Sequence, residues 1–470
     1  MSTALAAART GLDFTLAQQL TVTALCALSA YLAHRALAVF NDGVRPFLLD
    51  FHQGRATRGA TTAVSFGLSA GFVFGLGAPM ALSTGVLNPW LLFLPTDVLG
   101  LLAPRRWLAP VLGGAWGAVV VLGLDGANDL AHDLPVDFLT AMRQMSTPIL
   151  YLFALFPVLA VTKQFGRLPG VATGLLELAL TVLTMKLWPG MFAGALAMAA
   201  GVLTLIGLAV GRDLRGRRRR AGTGSEDGAP NAGTGTSAGA DAGTSADAGT
   251  GAGGGVEDPM ASLFSASATR LRRHLPLFML LGAGVAVLAQ SHVFGGGEAT
   301  SFLIAQGDHT EAAQVDFYRA FGFLPLIATT ALASGAYGIA GFTFVYPIGY
   351  LLPNPGLAAL AGAAVLAAEV LALSAVGRIL GRLPTVRDSS EHLRAAITDT
   401  LQLAILFGSL MAAAAMGGGL GILVVGGLWL LNEAMGRPVV RMAAAPAAVI
   451  AGGILLNVLH WLHLFTPVTG

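Results

Sequence analysis

The sequence predicts an all-α protein, a polytopic bundle of about 12–14 transmembrane segments, each close to the length of about 20 residues that crosses a bilayer as helix. Two observations carry this prediction. Of the 470 residues, 55% are hydrophobic and only 11% are charged, whereas a soluble domain is about 25% charged. The apolar residues also form continuous runs, unlike the alternating pattern of a transmembrane β-barrel.

The first half of the chain contains seven apolar runs. We expect the fifth run to bend at Pro157, because proline cannot donate the helical hydrogen bond. The acidic loop at residues 125–137 contains no Lys or Arg, which places it outside the membrane by the positive-inside rule. The predicted segments are residues 14–39, 60–82, 88–104, 108–124, 146–165, 170–187 and 191–210.

Residues 214–269 separate a first transmembrane half, residues 1–213, from a second, residues 270–470. The centre of this segment is almost entirely Gly, Ala, Ser and Thr. Such a composition cannot bury enough apolar surface to offset the entropy lost on ordering, which predicts a disordered, flexible linker. Arginine clusters flank it on both sides, so we expect the linker in the cytoplasm.

The second half contains a comparable series of apolar runs. Residues 292–316 carry acids but no Lys or Arg, which predicts a polar loop outside the membrane. Residues 321–336 and 339–352 are short, so they form either two spans or one re-entrant hairpin. The predicted segments are residues 276–291, 321–336, 339–352, 356–376, 400–416, 420–435 and 443–464.

Counting Lys and Arg in the loops orients the two halves in opposite directions. The first helix is followed by several arginines and preceded by Arg9 alone, which favours an uncleaved helix with its N-terminus outside. If the short pair in the second half crosses and returns, each half has seven segments. This arrangement is the inverted repeat of many secondary transporters.

Residues 88–104 are the first candidate for a functional site. The run is apolar but short, and Pro95, Thr96 and Asp97 lie at its centre. Pro95 predicts a break or kink in the helix. Asp97 is an acid near the depth where charge is most costly, so it either contacts a ligand or proton or caps a half-helix. The third run of the second half, around Pro347, is the predicted counterpart.

Three further candidates are polar residues inside apolar runs. Glu369 lies near the middle of its run, where an acid either couples transport to protons or cations or forms a neutral contact between helices. Thr329 and Thr330 follow another proline. Their hydroxyls either face a polar substrate or bond to carbonyls of their own helix.

Two similar clusters follow apolar helices on the cytoplasmic side. The first contains Asn41, Asp42 and Arg45. An arginine there could bind an anionic substrate bidentately. The alternative is a pair of internal ion-pair clusters that cap helix ends and fix the loops. The second cluster consists of Asn432, Glu433 and Arg437.

Other chemistry is not indicated. Cys26 is the only cysteine, so neither a disulfide framework nor a thiolate metal site is expected. No nucleotide-binding, zinc-protease or nucleophile-elbow motif occurs, and we expect no cofactor, no metal and no enzymatic activity. The basic clusters follow membrane helices, so no nucleic-acid partner is implied.

Several long stretches resemble the YhfT family of bacterial inner-membrane proteins. They include Leu-Phe-Leu-Pro-Thr-Asp at residues 92–97 and Gly-Phe-Leu-Pro-Leu-Ile-Ala-Thr-Thr-Ala-Leu-Ala at residues 322–333. The resemblance runs through both halves, and the Gly/Ala/Ser linker departs from it. It implies a multi-pass inner-membrane protein with a transport function, but it supplies neither a substrate nor a set of site residues. Further matching stretches are residues 33–46, 134–137, 341–346 and 432–438.

The favoured hypothesis is a secondary transporter or permease that moves a small polar solute. In one form of this hypothesis the solute is an anion, and its transport is coupled to protons or cations. One alternative is the membrane channel subunit of a phosphotransferase-type uptake system. Another is an integral-membrane enzyme or scaffold. The expected location is the bacterial inner membrane, with the lipid bilayer as partner. A homodimer is one option for the oligomeric state, which is left open.

Overall fold

The computed structural model describes residues 14–41, 66, 69–70, 72–132, 134–187, 193–223 and 259–467. These residues form helices joined by short connections, and the extended pairing among them is limited to two isolated bridges. The helices are α1 (Leu16–His34), α2 (Ala78–Thr84), α3 (Pro89–Leu102), α4 (Leu108–His132), α5 (Phe138–Met142), α6 (Ser146–Phe153), α7 (Phe156–Phe165), α8 (Arg167–Leu187), α9 (Ala193–Thr223), α10 (Pro259–Arg273), α11 (Leu275–Gln290), α12 (Glu298–Gln306), α13 (His309–Ser334), α14 (Val345–Leu351), α15 (Pro355–Arg382), α16 (Pro384–Ala434) and α17 (Arg441–Trp461).

The bundle is a multi-pass membrane protein by length and composition. Seven helical stretches in the described ranges are long and apolar enough to cross a bilayer, and α10 with α11, bent by 70°, gives an eighth. Helix α8 shows why lipid is the expected solvent, since Leu168 is 84% exposed and Leu175 is 63% exposed. Shorter apolar helices comprise α3, the first part of α4, and Ile339–Leu351.

Asparagine followed by proline begins two of these helices. Asn88 precedes α3 and its side chain accepts the N–H of Leu91, and Asn354 precedes α15 and accepts the N–H of Leu357. Asparagine satisfies a free N–H at a helix start, and proline is tolerated in the first turn because its missing donor is not needed there. The sequence therefore defines both starts locally.

Helix α3 continues through Pro95, so the expected break at this proline does not occur. Proline leaves the carbonyl of the residue four positions earlier, Leu91, without its helical donor. The indole N–H of Trp116 on α4 donates to that carbonyl at 3.0 Å. A side chain from a neighbouring helix thus replaces the hydrogen bond that Pro95 removes.

Helix α16 is a helical hairpin rather than one rod. The backbone leaves helical geometry at Gly417 and Gly418, and Gly418 has φ of 56°. Beyond this turn the chain folds back, because Gly421 lies against the carbonyl of Ala413 and Gly426 against Leu410. The hairpin matches the two predicted runs at 400–416 and 420–435.

The boundaries of two predicted loops need correction. Helix α4 extends to His132, so most of the acidic segment 125–137 is helical. Helix α9 extends to Thr223 and α10 begins at Pro259, so both ends of the predicted linker 214–269 are helical. Arginine is a good helix former, which lets α9 continue through the basic run. The remaining linker, residues 224–258, lies outside the described residues.

The two halves repeat the same local structure. After α1, Ala36 has φ of 49°, and after α11, His292 has φ of 56°. Gly85 before α3 and Gly335 before the 3-10 turn Ile339–Phe344 end their helices with φ of 71° and 64°. A positive φ is uncommon outside glycine, so its recurrence at matching points of the two halves indicates an internal repeat.

Glycine contacts show the repeat in the helix packing. Gly100 on α3 lies against Ala30 and Ala33 of α1, and Gly349 on α14 lies against Ala286 and Ala289 of α11. Small residues let membrane helices approach this closely. Gly113 and Gly362 correspond in the same way. Gly113 of α4 packs on Cys26 and Ala30 of α1, and Gly362 of α15 packs on Gly282 and Ala286 of α11.

An approximate two-fold rotation axis relates the halves, because each half makes the same backbone contact with the other. Ala38, after α1, forms a parallel bridge with Tyr337, and Leu87, before α3, forms a parallel bridge with Phe294, after α11. Exchanging the halves converts one bridge into the other, which is the property of a two-fold axis. The short segments α3 and 339–351 therefore correspond, as the sequence predicts. Pro95 and Pro347 themselves do not occupy corresponding positions. Pro95 precedes Gly100 by more than one helical turn, whereas Pro347 lies within one turn of Gly349, the counterpart of Gly100.

Candidate functional site

Four aromatic rings pack where the two halves meet. Phe93 of α3 and Phe342 of the 3-10 turn lie 5.3 Å apart between ring centroids. Phe40 stacks on Phe93 at 4.9 Å, and Phe294 packs edge-on against it at 5.9 Å. These rings come from both short segments and from both loops that follow α1 and α11, so they define the centre of the molecule.

Asp97 holds the loop after α1 against α3. One carboxylate oxygen accepts the backbone N–H groups of Phe40 at 2.8 Å and Asn41 at 2.7 Å. Asp97 is 1% exposed, and hydrogen bonds to an ionised group are stronger than neutral ones. Its observed geometry positions Asn41, whose amide donates to Ser69 at 3.2 Å.

The second half holds the corresponding loop with a tyrosine. The hydroxyl of Tyr350 on α14 accepts the backbone N–H of Gly296 at 2.8 Å and donates to Asp316 at 2.9 Å. Asp316 is fully buried and forms an ion pair with Arg319, whose side chain is 7% exposed. A buried ion pair is favourable only when further hydrogen bonds satisfy its polar atoms, and Tyr350 supplies one of them.

Three consecutive glycines make room for this arrangement. A side chain at Gly296 would collide with Asp316 and Tyr346, and one at Gly297 would collide with the guanidinium of Arg319. Gly295 is likewise packed against Ser301. Glycine is the only residue that lets the backbone approach the ion pair this closely.

These buried residues lie in the segment predicted as a polar loop outside the membrane, and the prediction of a loop is wrong. Residues 292–316 contain α12 and the beginning of α13, and Glu298 and Asp316 are 3% and 0% exposed. Loop charge counts treat every acid as solvated, whereas these acids are covered by other helices. The signal that sequence reasoning missed is the glycine triplet together with Asp316 and Arg319, spaced one helical turn apart.

A cavity of about 340 Å³ lies beside the four aromatic rings and is lined by residues from both halves. Its volume is within the usual range for small-molecule sites. Phe40, Phe72, Trp90 and Phe323 contribute aromatic walls. The polar side chains along it include Asn41, Glu298, Arg319, Thr343 and Tyr346.

Three polar groups at this cavity are buried without a hydrogen-bond partner. They are Oε1 of Glu298, Nε of Arg319 and the hydroxyl of Tyr346. Leaving such a group unpaired costs about 1–3 kcal/mol, more for a charged one. Their shared position on one cavity indicates a place that a polar ligand can fill.

Comparison with known proteins assigns the chain to a family. The YhfT family, described as a protein of unknown function, matches residues 18–465. The chain belongs to the YhfT family. A relative from Escherichia coli strain K12, "Uncharacterized protein YhfT", is 38% identical over 462 residues, which cover 96% of this chain and 99% of the relative. No solved structure gives a significant match.

The family assignment confirms the resemblance drawn from the sequence, and it extends across both halves of the repeat. The matched stretch 92–97 contains Asp97, and the stretch 322–333 lies on α13 a short way beyond Arg319.

Glu369 lies apart from the cavity. It accepts a hydrogen bond from the hydroxyl of Tyr337, and its second oxygen is buried without a partner. The backbone of Tyr337 pairs with Leu37 and Val39 in the bridge between the halves. Glu369 therefore contacts the connection between the repeats rather than the cavity lining.

The cluster at the end of α16 is a surface ion-pair network. Glu433 accepts hydrogen bonds from Arg437 and Arg441, at 2.8 to 2.9 Å. The Asn432 amide bonds both backbone groups of Val439 at 2.9 and 3.0 Å. These contacts fix the turn into α17, as the structural alternative predicts, and Arg441 also lines the cavity.

Of the other candidates, one has a side chain that the structure describes. Thr96 donates to the carbonyl of Phe93 in its own helix at 2.6 Å. Thr329 and Thr330 lie on α13, but their side chains are outside the described residues, as are Asp42 and Arg45. For these four the functional prediction stays a prediction.

Proposed function

We propose that the chain is a secondary transporter that carries a small polar, anionic solute across the bacterial inner membrane, driven by a proton gradient. We also infer that it performs no chemistry on the solute. The observation that carries the proposal is the cavity at the contact between two pseudo-symmetric halves, with an unpartnered arginine nitrogen at its wall. Substrate sites of transporters with inverted repeats lie at such contacts.

The two-fold also supports a mechanism of alternating access. Because the halves correspond, a rocking motion that closes one side of the cavity opens an equivalent path on the other. The loops held by Asp97 and Tyr350 both reach the centre, so each half contributes a fixed element to the solute site. In this proposal Asp97 acts as a positioning residue for Asn41. Glu369 acts through Tyr337 on the backbone bridge that connects the two halves.

The orientation proposed from the sequence places residues 224–258 in the cytoplasm. Positive charge at the end of α9 and at Arg270, Arg272 and Arg273 supports this assignment. The same orientation makes the bacterial inner membrane the proposed location.

Uptake into proteoliposomes tests the proposal. Purified protein is reconstituted with an inward proton gradient, and accumulation of radiolabelled small carboxylates is compared with and without a protonophore. We expect accumulation of at least one carboxylate that the protonophore abolishes. Arg319→Lys keeps the charge but loses the planar donor array, so its uptake should fall at least tenfold.

Lys163→Gln is the matched control for this change. Lys163 forms an exposed pair with Asp399 on the surface, and exposed pairs contribute little to stability, so its uptake should equal that of the wild type. Normal uptake by Arg319→Lys would remove the cavity from the transport pathway. Failure of the whole carboxylate panel would refute anion transport.

A further inference from the structure

Glu298 and Arg319 are the oppositely charged side chains on the most buried side of the cavity. Glu298 begins α12, and Arg319 lies on the neighbouring helix α13. Each has an atom without a hydrogen-bond partner, an acceptor on Glu298 and a donor on Arg319. A ligand that bonds to one of them changes the electrostatic environment of the other.

The charges at this end of the cavity limit what can bind. Arg319 is already paired with Asp316, so the pair contributes no net charge. An ionised Glu298 leaves the site with a net negative charge, which repels an anion in a medium of low dielectric constant. A protonated Glu298 leaves it neutral and turns the carboxyl into a hydrogen-bond donor.

We propose that the solute is a small monocarboxylate with an apolar body and that it binds together with one proton held by Glu298. The inference rests on the proposed function, because it takes this cavity as the solute site. The carboxylate accepts from Nε of Arg319 and from the protonated Glu298. Tyr346 supplies a third hydrogen bond through its unpartnered hydroxyl.

The remaining walls fit an apolar body. Phe40, Phe72, Trp90 and Phe323 line the cavity, and the guanidinium of Arg319 lies 5.8 Å from the ring centroid of Phe323. Aromatic walls with a few placed polar groups are typical of small-molecule sites. At the buried end of the cavity Asp316 balances the charge of Arg319, so this end favours a monoanion over a dianion.

The titratable and charged groups around Glu298 and along its cavity come from four helices. Arg394 and Arg441 also line the cavity and are less buried than Glu298, so they attract anions from solution. Tyrosine keeps its proton across the neutral pH range. The groups are Arg319 and Asp316 on α13, Tyr346 on α14, Arg394 on α16 and Arg441 on α17.

Proton and anion binding are then linked, so each strengthens the other by the same factor. Isothermal titration calorimetry of the detergent-purified full chain, with benzoate as probe, measures how the Kd depends on pH. Benzamide is the neutral control and benzylamine the cationic control. We expect benzoate alone to bind, and its Kd to rise toward tenfold per pH unit once Glu298 is ionised in the free protein.

Glu298→Gln tests the assignment of the proton. Glutamine is neutral and has the shape of a protonated glutamic acid, so benzoate should bind with a Kd that changes less than twofold between pH 5 and pH 8. Glu391→Gln, at an exposed position on α16, is the matched control and should keep the pH dependence of the wild type.

Three results would overturn the proposal. They are tighter binding of benzylamine than of benzoate, a benzoate Kd independent of pH in the wild type, and unchanged pH dependence in Glu298→Gln. A fourth result, the absence of benzoate binding in protein that accumulates another solute, also refutes this inference but leaves transport standing. Linked benzoate binding without any proteoliposome uptake supports the site and refutes the transport function.

Discussion

At the scale of single residues, buried acids have different roles that depend on what surrounds them. Asp97 binds two backbone N–H groups, Asp316 is paired with Arg319, and one oxygen of Glu298 has no partner. Burial makes ionised acids costly unless they are paired. The paired acids therefore fix the loops, whereas Glu298 is the acid that we propose exchanges a proton with the cavity.

Asp97→Asn should destabilise the protein without unfolding it. The amide still offers an acceptor oxygen, but the charge that strengthens the bonds to Phe40 and Asn41 is lost. We expect a loss of about 1–3 kcal/mol, measured as a lower thermal unfolding midpoint in detergent. Asp388→Asn is the control, because the Asp388 side chain is 63% exposed, and its midpoint should stay at the wild-type value.

At the scale of helices, Pro95 shows how a neighbouring helix changes the effect of a local signal. The carbonyl of Leu91 lacks its helical donor and receives the indole N–H of Trp116. Proline alone predicts a break, whereas α3 remains continuous across it. The missing information is a side chain on another helix.

Trp116→Phe should destabilise the protein by about 1–3 kcal/mol, because it leaves the carbonyl of Leu91 unsatisfied. In a Pro95→Ala background the alanine N–H can take over that carbonyl. The same Trp116→Phe change should then cost less, and chemical denaturation of the four proteins of this double-mutant cycle measures the difference. Equal costs in both backgrounds would mean that the indole does not replace the helical bond.

The glycine contacts of the repeat provide a second test at this scale. A Cβ at Gly113 would lie 2.4 Å from the carbonyl oxygen of Cys26, and one at Gly362 would lie 2.3 Å from that of Gly282. Overpacking of this kind costs about 1–3 kcal/mol. Gly113→Ala and Gly362→Ala should therefore lower the unfolding midpoint by similar amounts.

Gly123→Ala is the matched control on the same helix as Gly113. Nothing lies within 4 Å of the added carbon, and alanine is a better helix former than glycine. Its midpoint should be unchanged or raised. A drop as large as that of Gly113→Ala would contradict the packing explanation.

At the scale of the whole molecule, the two halves hold each other through the bridges, the aromatic centre, and the packing of α1 on α11. Leu25 of α1 lies against Gly284 of α11. These contacts are built from residues far apart in the chain, and none involves residues 224–258. We therefore expect the halves to stay together without the covalent connection once they have folded.

Cutting the connection should leave a complex. A protease site inserted within residues 224–258 and cleaved after purification should yield two fragments that elute together from a size-exclusion column in detergent. An affinity tag on one fragment should retain the other. Separation of the fragments without denaturant would refute the interlocked arrangement, and an uncleaved sample serves as the control.

The helical membrane fold follows from the sequence alone, which also predicts the two halves and the correspondence of residues 88–104 with 339–352. These features depend on hydropathy, length and loop charge, which each segment carries in its own composition. The position of α12 and the burial of Asp316 do not follow from the sequence. The composition of a polar stretch is the same whether water or another helix covers its acids.

By itself the sequence determined that this chain is a helical membrane bundle, and it predicted a repeat and a candidate site at Asp97. Only the tertiary structure decided that Asp97 holds a loop, that Glu369 contacts the bridge, and that Glu298 and Arg319 line the cavity. The physical reason is that a polar side chain takes its role from its partners. Those partners, such as Phe40 for Asp97 and Tyr350 for Asp316, come from distant parts of the chain.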